Sequence, residues 1–114
     1  MKRVMSVSLG LSLLALSQSV LAAATNFTLV NKTGAAIKSL SIKRTGTTTW
    51  RSLAATPAQG AQAAIAFSDP DCAFDIKADL ADGQSATFSG VNLCDVATVT
   101  LNRGSGGALW VDYD

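Results

Sequence analysis

CAFDIKADLADGQSATFSGVNLC, residues 72–94, carries both cysteines of the chain and its clearest alternation of side chains. Cys72, Phe74, Ile76, Ala78 and Leu80 fall on one face of an extended chain, and Ala73, Asp75, Lys77 and Asp79 on the other. Period two with one apolar and one charged face predicts a strand that is dry on one side. Asp82-Gly83 then signals a reversal into a second strand. A two-residue loop there would set Phe88 across from Lys77 on the wet face. A three-residue loop, Asp82-Gly83-Gln84, places Ala86 opposite Leu80 and Phe88 opposite Ala78, both on the dry face. The same register sets Cys72 opposite Cys94, so the buried phenylalanine and the cysteines select one hairpin, provided no bulge near Gly90 shifts it. The stripe Asp75, Lys77, Asp79 reads as a solvated face, because residues 75 and 79 lie four strand positions, roughly 13 Å, apart.

Outward from this hairpin the same texture continues. Short alternating runs occupy 26–31, 36–44, 48–53, 63–68, 85–91, 96–102 and 108–113, separated by Gly, Asp, Asn and Pro turn signals. No helical periodicity persists for ten residues beyond the N-terminal segment. The predicted fold is a small antiparallel β-sandwich of seven or eight strands with one disulfide. The irregular segment 54–62 is expected to cross between its sheets.

The N-terminus has the anatomy of a cleavable signal peptide: Lys2 and Arg3, an uncharged apolar run over 4–16, and small residues around Ala22 and Ala24. The apolar run is shorter than the roughly 20 residues a spanning helix needs. Cleavage after Ala22 or Ala24 places residues 1–22 in the signal peptide and leaves one domain over 25–114, with no transmembrane segment. The chain is therefore expected to be exported, periplasmic or secreted. In that compartment Cys72 and Cys94 read as a disulfide. Closing so long a loop adds about 3 kcal/mol in the chain-entropy model.

Removal of Lys2 and Arg3 leaves seven basic residues against eight aspartates, without the basic excess that nucleic acid demands. The charges are segregated: Lys32, Lys38, Lys43, Arg44 and Arg51 precede residue 67, and every aspartate follows it. A sheet interleaving the halves would mix them; otherwise the molecule presents a basic face to an acidic partner.

The chain contains no histidine and no glutamate. Ser-His-Asp and Cys-His catalysis and histidine-bound zinc are thereby excluded, and no cofactor motif is present. Asp69, Asp71, Asp82, Asp95, Asp112 and Asp114 fall in turns or at strand ends, where carboxylates converge on calcium in some binding domains, but no EF-hand spacing occurs. Asn26-Phe27-Thr28 and Asn31-Lys32-Thr33 match the glycosylation acceptor pattern and read as chance matches beside a first strand. Gly104 to Gly107 reads as a flexible hairpin tip. Trp50, with Arg51 beside it, and Trp110 are the candidate ligand or partner contacts. Trp110 would be exposed if Leu109, Val111 and Tyr113 form the buried face of the last strand.

The sequence Phe27-Thr28-Leu29-Val30-Asn31-Lys32-Thr33-Gly34, the isolated Trp50, Cys72-Ala73-Phe74-Asp75-Ile76, Asp82-Gly83, Val91-Asn92-Leu93-Cys94 and Leu101 together resemble a group of small exported bacterial proteins of unassigned function. The resemblance implies a disulfide-linked β-sandwich and no catalytic residue. The expectation is an exported non-enzymatic domain that binds a protein partner in the cell envelope, one version being an immunity or inhibitor protein for an envelope enzyme. The alternatives are a carbohydrate- or membrane-surface module using exposed tryptophans and a calcium-dependent binding domain.

Overall fold

The structure, a computed structural model, describes residues 22–114. The signal-peptide expectation falls on residues 1–21, outside the described ones. Eight strands follow in order: β1 Phe27–Lys32, β2 Ile37–Arg44, β3 Arg51–Leu53, β4 Gln62–Ile65, β5 Ala73–Leu80, β6 Ser85–Asn92, β7 Thr98–Arg103 and β8 Leu109–Tyr113. Each of the eight expected runs becomes a strand, and the described residues contain no α-helix. No helix among them is long and apolar enough to cross a membrane.

The strands form two four-stranded sheets, β4-β1-β7-β8 and β3-β2-β5-β6. Segment 54–62 leads from β3 in one sheet to β4 in the other, which is the expected crossover. The sandwich departs from uniform antiparallel pairing at one place: β1 and β7 run parallel, Leu29 beside Val99 and Asn31 beside Leu101. Parallel neighbours require a long connection, and here it runs through the whole of the second sheet. Leu29, Val99 and Leu101 from one sheet meet Leu40, Ile42, Phe74 and Ile76 from the other, all 1% exposed or less, in a single apolar cluster. Phe67 bridges Phe27 and Phe74 edge-on, with ring centroids 6.2 and 5.1 Å away.

The β5–β6 hairpin forms, but its register differs from the expected one. Leu80 N–H donates to Gln84 O at 2.8 Å and Gly83 N–H to Leu80 O at 3.0 Å, so the loop is Ala81-Asp82-Gly83. Gly83 has φ 87°. A three-residue loop of this kind ends on a left-handed residue; glycine therefore belongs at its third position, not its second. Phe88 consequently faces Ile76 and Ala86 faces Ala78. Farther along, Asp75 alone spans the interval opposite Ser89 and Gly90, because Phe74 pairs with Val91 and Ile76 with Phe88. This is a β-bulge, with Gly90 at φ 66°. It explains why Phe88 and Val91, three residues apart, both point into the core. A second register shift between Ile37 and Ser39 does the same for Ile37 and Leu40.

The bulge adds one step to the register, and beyond it Leu93 N–H donates to Cys72 O at 2.9 Å. Cys72 and Cys94 are bonded, with Cα atoms 5.1 Å apart. The disulfide thus ties the start of β5 to the segment following β6. The double variant C72A/C94A is expected to lose about 3 kcal/mol of stability. Urea denaturation of the oxidised wild type against the variant measures it; equal midpoints would exclude a stabilising role.

Candidate functional site

The described residues hold three polar constellations and one apolar edge. The first constellation centres on Asp75. Its carboxylate accepts from Lys43 Nζ at 2.8 Å, from Thr45 Oγ1 at 2.8 Å and from Gly90 N–H at 3.0 Å. Only 12% of its side chain and 13% of that of Lys43 is exposed, so the solvated face expected for Asp75 is instead a covered ion pair. The hydrogen bond from Lys43 holds the Asp75 pKa below the usual carboxylate range; burial opposes it, and Gly90 and Thr45 add to it. The Lys43 ammonium also lies 5.1 Å from the centre of the Trp50 ring, with Lys77 Nζ at 4.8 Å. Trp50 is therefore half-buried under two lysines in cation–π contact.

The second is Asn31, fully buried. Its Nδ2 donates to Ala35 O at 2.8 Å and Pro57 O at 3.0 Å, and its Oδ1 accepts from Thr33 N–H and Thr33 Oγ1 at 3.0 and 2.6 Å. The Asn-Lys-Thr triplet thus folds the β1–β2 turn and holds the crossover segment against it. The third is Arg103, which donates to Thr33 O and to Asp82 Oδ2, both at 2.7 Å. It joins the β1–β2 and β5–β6 turns at one end of the sandwich, and through that bond it lowers the Asp82 pKa. Arg44 binds Asp69 at 2.9 Å and approaches Asp71 at 3.8 Å. The basic first half and acidic second half of the chain are therefore interleaved. Asp69, Asp71 and Asp82 are taken up by arginines, and the described residues contain no group of three or more acidic or cysteine side chains placed to hold a metal.

The edge is β8. Leu109, Trp110 and Tyr113 are 38%, 47% and 46% exposed, the exposed large apolar side chains of the described residues. Leu109, Val111 and Tyr113 lie opposite Arg103, Leu101 and Val99, so they extend the inner layer of their sheet. The facing sheet ends at β6 and does not cover them. The odd-numbered face is not the buried face on which the exposure of Trp110 was conditioned: only Val111 is partly buried, and Trp110 is exposed together with Leu109 and Tyr113. A cleft of about 370 Å³ runs between the two edges, lined by Thr87, Phe88, Ser89 and Val91 of β6 and by Leu109, Trp110, Val111 and Tyr113 of β8. One end is clasped by the Asn92 N–H donating to Tyr113 Oη at 3.0 Å. A depression of similar volume at the opposite edge, beside Asn26, Ala64 and Ala66, offers alanines and no exposed aromatic group. At the β7–β8 hairpin, Gly104 to Gly107 is a hydrogen-bonded 3-10 turn and not a loose tip, with Gly104 N–H donating to Ala108 O at 2.8 Å. The Trp110 ring lies over Gly104 so closely that a Cβ there would meet it at 3.1 Å.

The three sequence-derived contact residues do not converge. Trp50 lies under Lys43 and Lys77 on the sheet of β2 and β5, the Arg51 guanidinium sits 5.0 Å from the Phe67 ring and 3.7 Å from Asp69, and Trp110 belongs to the other sheet. Leu109 and Tyr113 were not among them. Their signal in the sequence is Leu-Trp-Val-Asp-Tyr itself, a run apolar at both parities, which one-sided burial does not require.

Folding lowers the pKa of Asp75, of Asp82 and of Asp79, the last through Ser85 and Ser39. A group so lowered stabilises the fold fully above the unfolded aspartate value of about 3.9, and that contribution disappears as pH falls through the lower folded value. Stability is expected to be flat from pH 7 to about 5 and to decline below about 4. D75N is expected to cost about 2–3 kcal/mol at pH 7 by stranding Lys43 and to shallow the acid decline; chemical denaturation across pH checks both. N31A is expected to cost a similar amount, about 2–3 kcal/mol, because the buried Thr33 N–H loses its acceptor and Ala35 O and Pro57 O each lose one of two donors. Urea midpoints unchanged from wild type would contradict either assignment.

No protein-family model and no curated protein matches the chain. Among solved structures it is similar to an NMR structure of a protein from Eubacterium rectale, with a TM-score of 0.55 over 79% of this chain and 87% of that one. At 16% identity this likeness concerns the fold alone.

Proposed function

We propose that the chain is an exported, non-enzymatic binding domain that engages a protein partner through the β6–β8 edge. The observation that carries this reading is the exposure of Leu109, Trp110 and Tyr113 on one edge strand, beside a cleft that Thr87 and Ser89 make partly polar. Contiguous exposed apolar surface on a small domain marks an interaction site, and aromatic residues dominate such contacts. The disulfide and the apolar N-terminal segment support export. The lack of histidine and the engagement of Asp69, Asp75 and Asp82 in ion pairs support a binding role over catalysis. An immunity or inhibitor role against an envelope enzyme is one version of this function.

The carbohydrate alternative needs an aromatic platform, and the placement of Trp50 and Trp110 on different sheets favours the protein partner. Affinity capture from an envelope extract on the oxidised protein tests the reading, with L109S/W110S/Y113S and W50A as companions. A retained protein that is lost with the triple variant and kept with W50A is the expected result. Retention unchanged by the triple variant, or no retention at all, would overturn it.

A further inference from the structure

The hydrogen-bond phase of β8 carries a more specific consequence. Thr98 and Asp114 exchange both backbone bonds, N–H to O at 3.0 Å in each direction. Bonded and non-bonded pairs alternate along an antiparallel ladder. The pairs Thr100–Asp112 and Asn102–Trp110 are therefore also bonded ones, and the series ends on Gly104 N–H to Ala108 O. It follows that Leu109, Val111 and Tyr113 point their N–H and C=O groups away from β7. All three line the cleft, as does the intervening Trp110. Trp110, Asp112 and Asp114 occupy the intervening positions and face the outside of the sheet.

We infer that β8 accepts an extended segment of another polypeptide as a ninth strand, and that this segment alternates apolar and cationic residues. The inference rests on the β6–β8 edge being the contact surface. Added residues opposite Leu109, Val111 and Tyr113 put their side chains against the exposed apolar groups of Leu109 and Tyr113, which an apolar side chain covers best. Those opposite Trp110, Asp112 and Asp114 lie on the outer face. There Asp112 and Asp114 carry the charge of β8, and Lys32, exposed on β1 beyond Asn102, is the cation of that face. Among the described residues no cation lies within ion-pair distance of Asp112 or Asp114, whereas Asp69, Asp71, Asp75 and Asp82 are all paired. Asp112 accepts only from the Asn102 amide at 3.1 Å. A cationic strand supplies the missing charge and stacks a Lys or Arg on Trp110. A second copy of this chain does not. Its β8 brings one more aspartate, Asp112, with Asp114 just beyond and no cation, and a contact of five residues is short of the roughly 1,600 Å² of a stable interface. Main-chain bonds for affinity and alternate side chains for specificity are the general mode of strand addition.

The test uses the oxidised full chain and a blocked nonapeptide alternating valine and lysine. Amide exchange followed by NMR is expected to slow at least tenfold at Leu109, Val111 and Tyr113, with Trp110 and Asp112 unchanged. V111P removes an N–H that points away from β7, a position at which an edge strand tolerates proline, and V111A controls for the loss of the partly buried side chain; V111P is expected to bind the peptide at least tenfold more weakly than V111A. Methylating the valine nitrogens of the peptide makes the same test without altering the protein. D112N/D114N is expected to weaken binding severalfold and to reduce its salt dependence. Four results would each overturn the inference. They are no exchange change at about 1 mM peptide, equal binding of the methylated peptide, equal binding of a valine–glutamate peptide, and protection of the odd-numbered amides that rises with protein concentration alone. Should the peptide fail while L109S/W110S/Y113S still abolishes capture of an envelope protein, the edge remains the contact surface and strand addition is removed. Failure of both removes both.

Discussion

The Asp75 carboxylate gathers Lys43 from β2, Thr45 from the turn after it, and the Gly90 amide from the bulge in β6, and the geometry of one whole sheet depends on that junction. A bulge leaves a backbone N–H without a ladder partner; here the carboxylate of the residue across the strand supplies one. With the bulge fixed, Val91 turns inward, Asn92 presents its amide to Tyr113, and Cys94 comes within bonding distance of Cys72. Lys43, drawn over the sheet by the same carboxylate, then covers Trp50. A single buried charge thus places the disulfide, the tryptophan and the clasp at the end of the cleft. Such a charge is tolerated because both carboxylate oxygens meet donors, one of them a cation.

The four sheet edges are not equivalent. β3 has three residues and β4 has four, too short to template a long pairing. β6 is bent away by its bulge and carries polar Ser85, Thr87 and Ser89 on its outward positions. β8 is straight and aromatic, and its protection amounts to Asp112 alone within the strand. Natural sheets suppress edges that serve no purpose, so an edge that keeps Leu109, Trp110 and Tyr113 exposed, in a protein whose other edges are blunted, is the part of the surface shaped for contact.

Much of this was legible from residues alone. Alternation in 72–80 identified the core face of β5, and the cysteines identified their own bond. The hairpin register was misplaced by the position of one glycine: Asp82-Gly83 gives the turn, but only the left-handed requirement at the loop's last position says which residue closes it. Asp75 was legible as outward-facing and not as covered, because its cover comes from β2 and β6, which the local sequence does not reveal. Asn31 illustrates the same limit. Asn-Lys-Thr is a common surface triplet, and its burial depends on a carbonyl at Pro57 from a segment in a different layer. The exposure of β8 likewise depends on where the opposite sheet ends, a fact of topology with no local signature.

The parallel pairing of β1 with β7 has a consequence in time. Thr28 and Thr98 are partners seventy residues apart, and β1 is the strand on which both β4 and β7 are built. The sheet containing β2, β3, β5 and β6 assembles largely from neighbouring hairpins, whereas the other must wait until the chain is nearly complete before its centre can close. Pairings of such sequence separation form slowly. A polypeptide threaded across a membrane from its N-terminus would hold β1 open until β7 emerged. The edge strand β8, zipped onto β7 last, would be the final segment to acquire its shape. The surface proposed for contact would thus come into being only after the rest of the fold is in place.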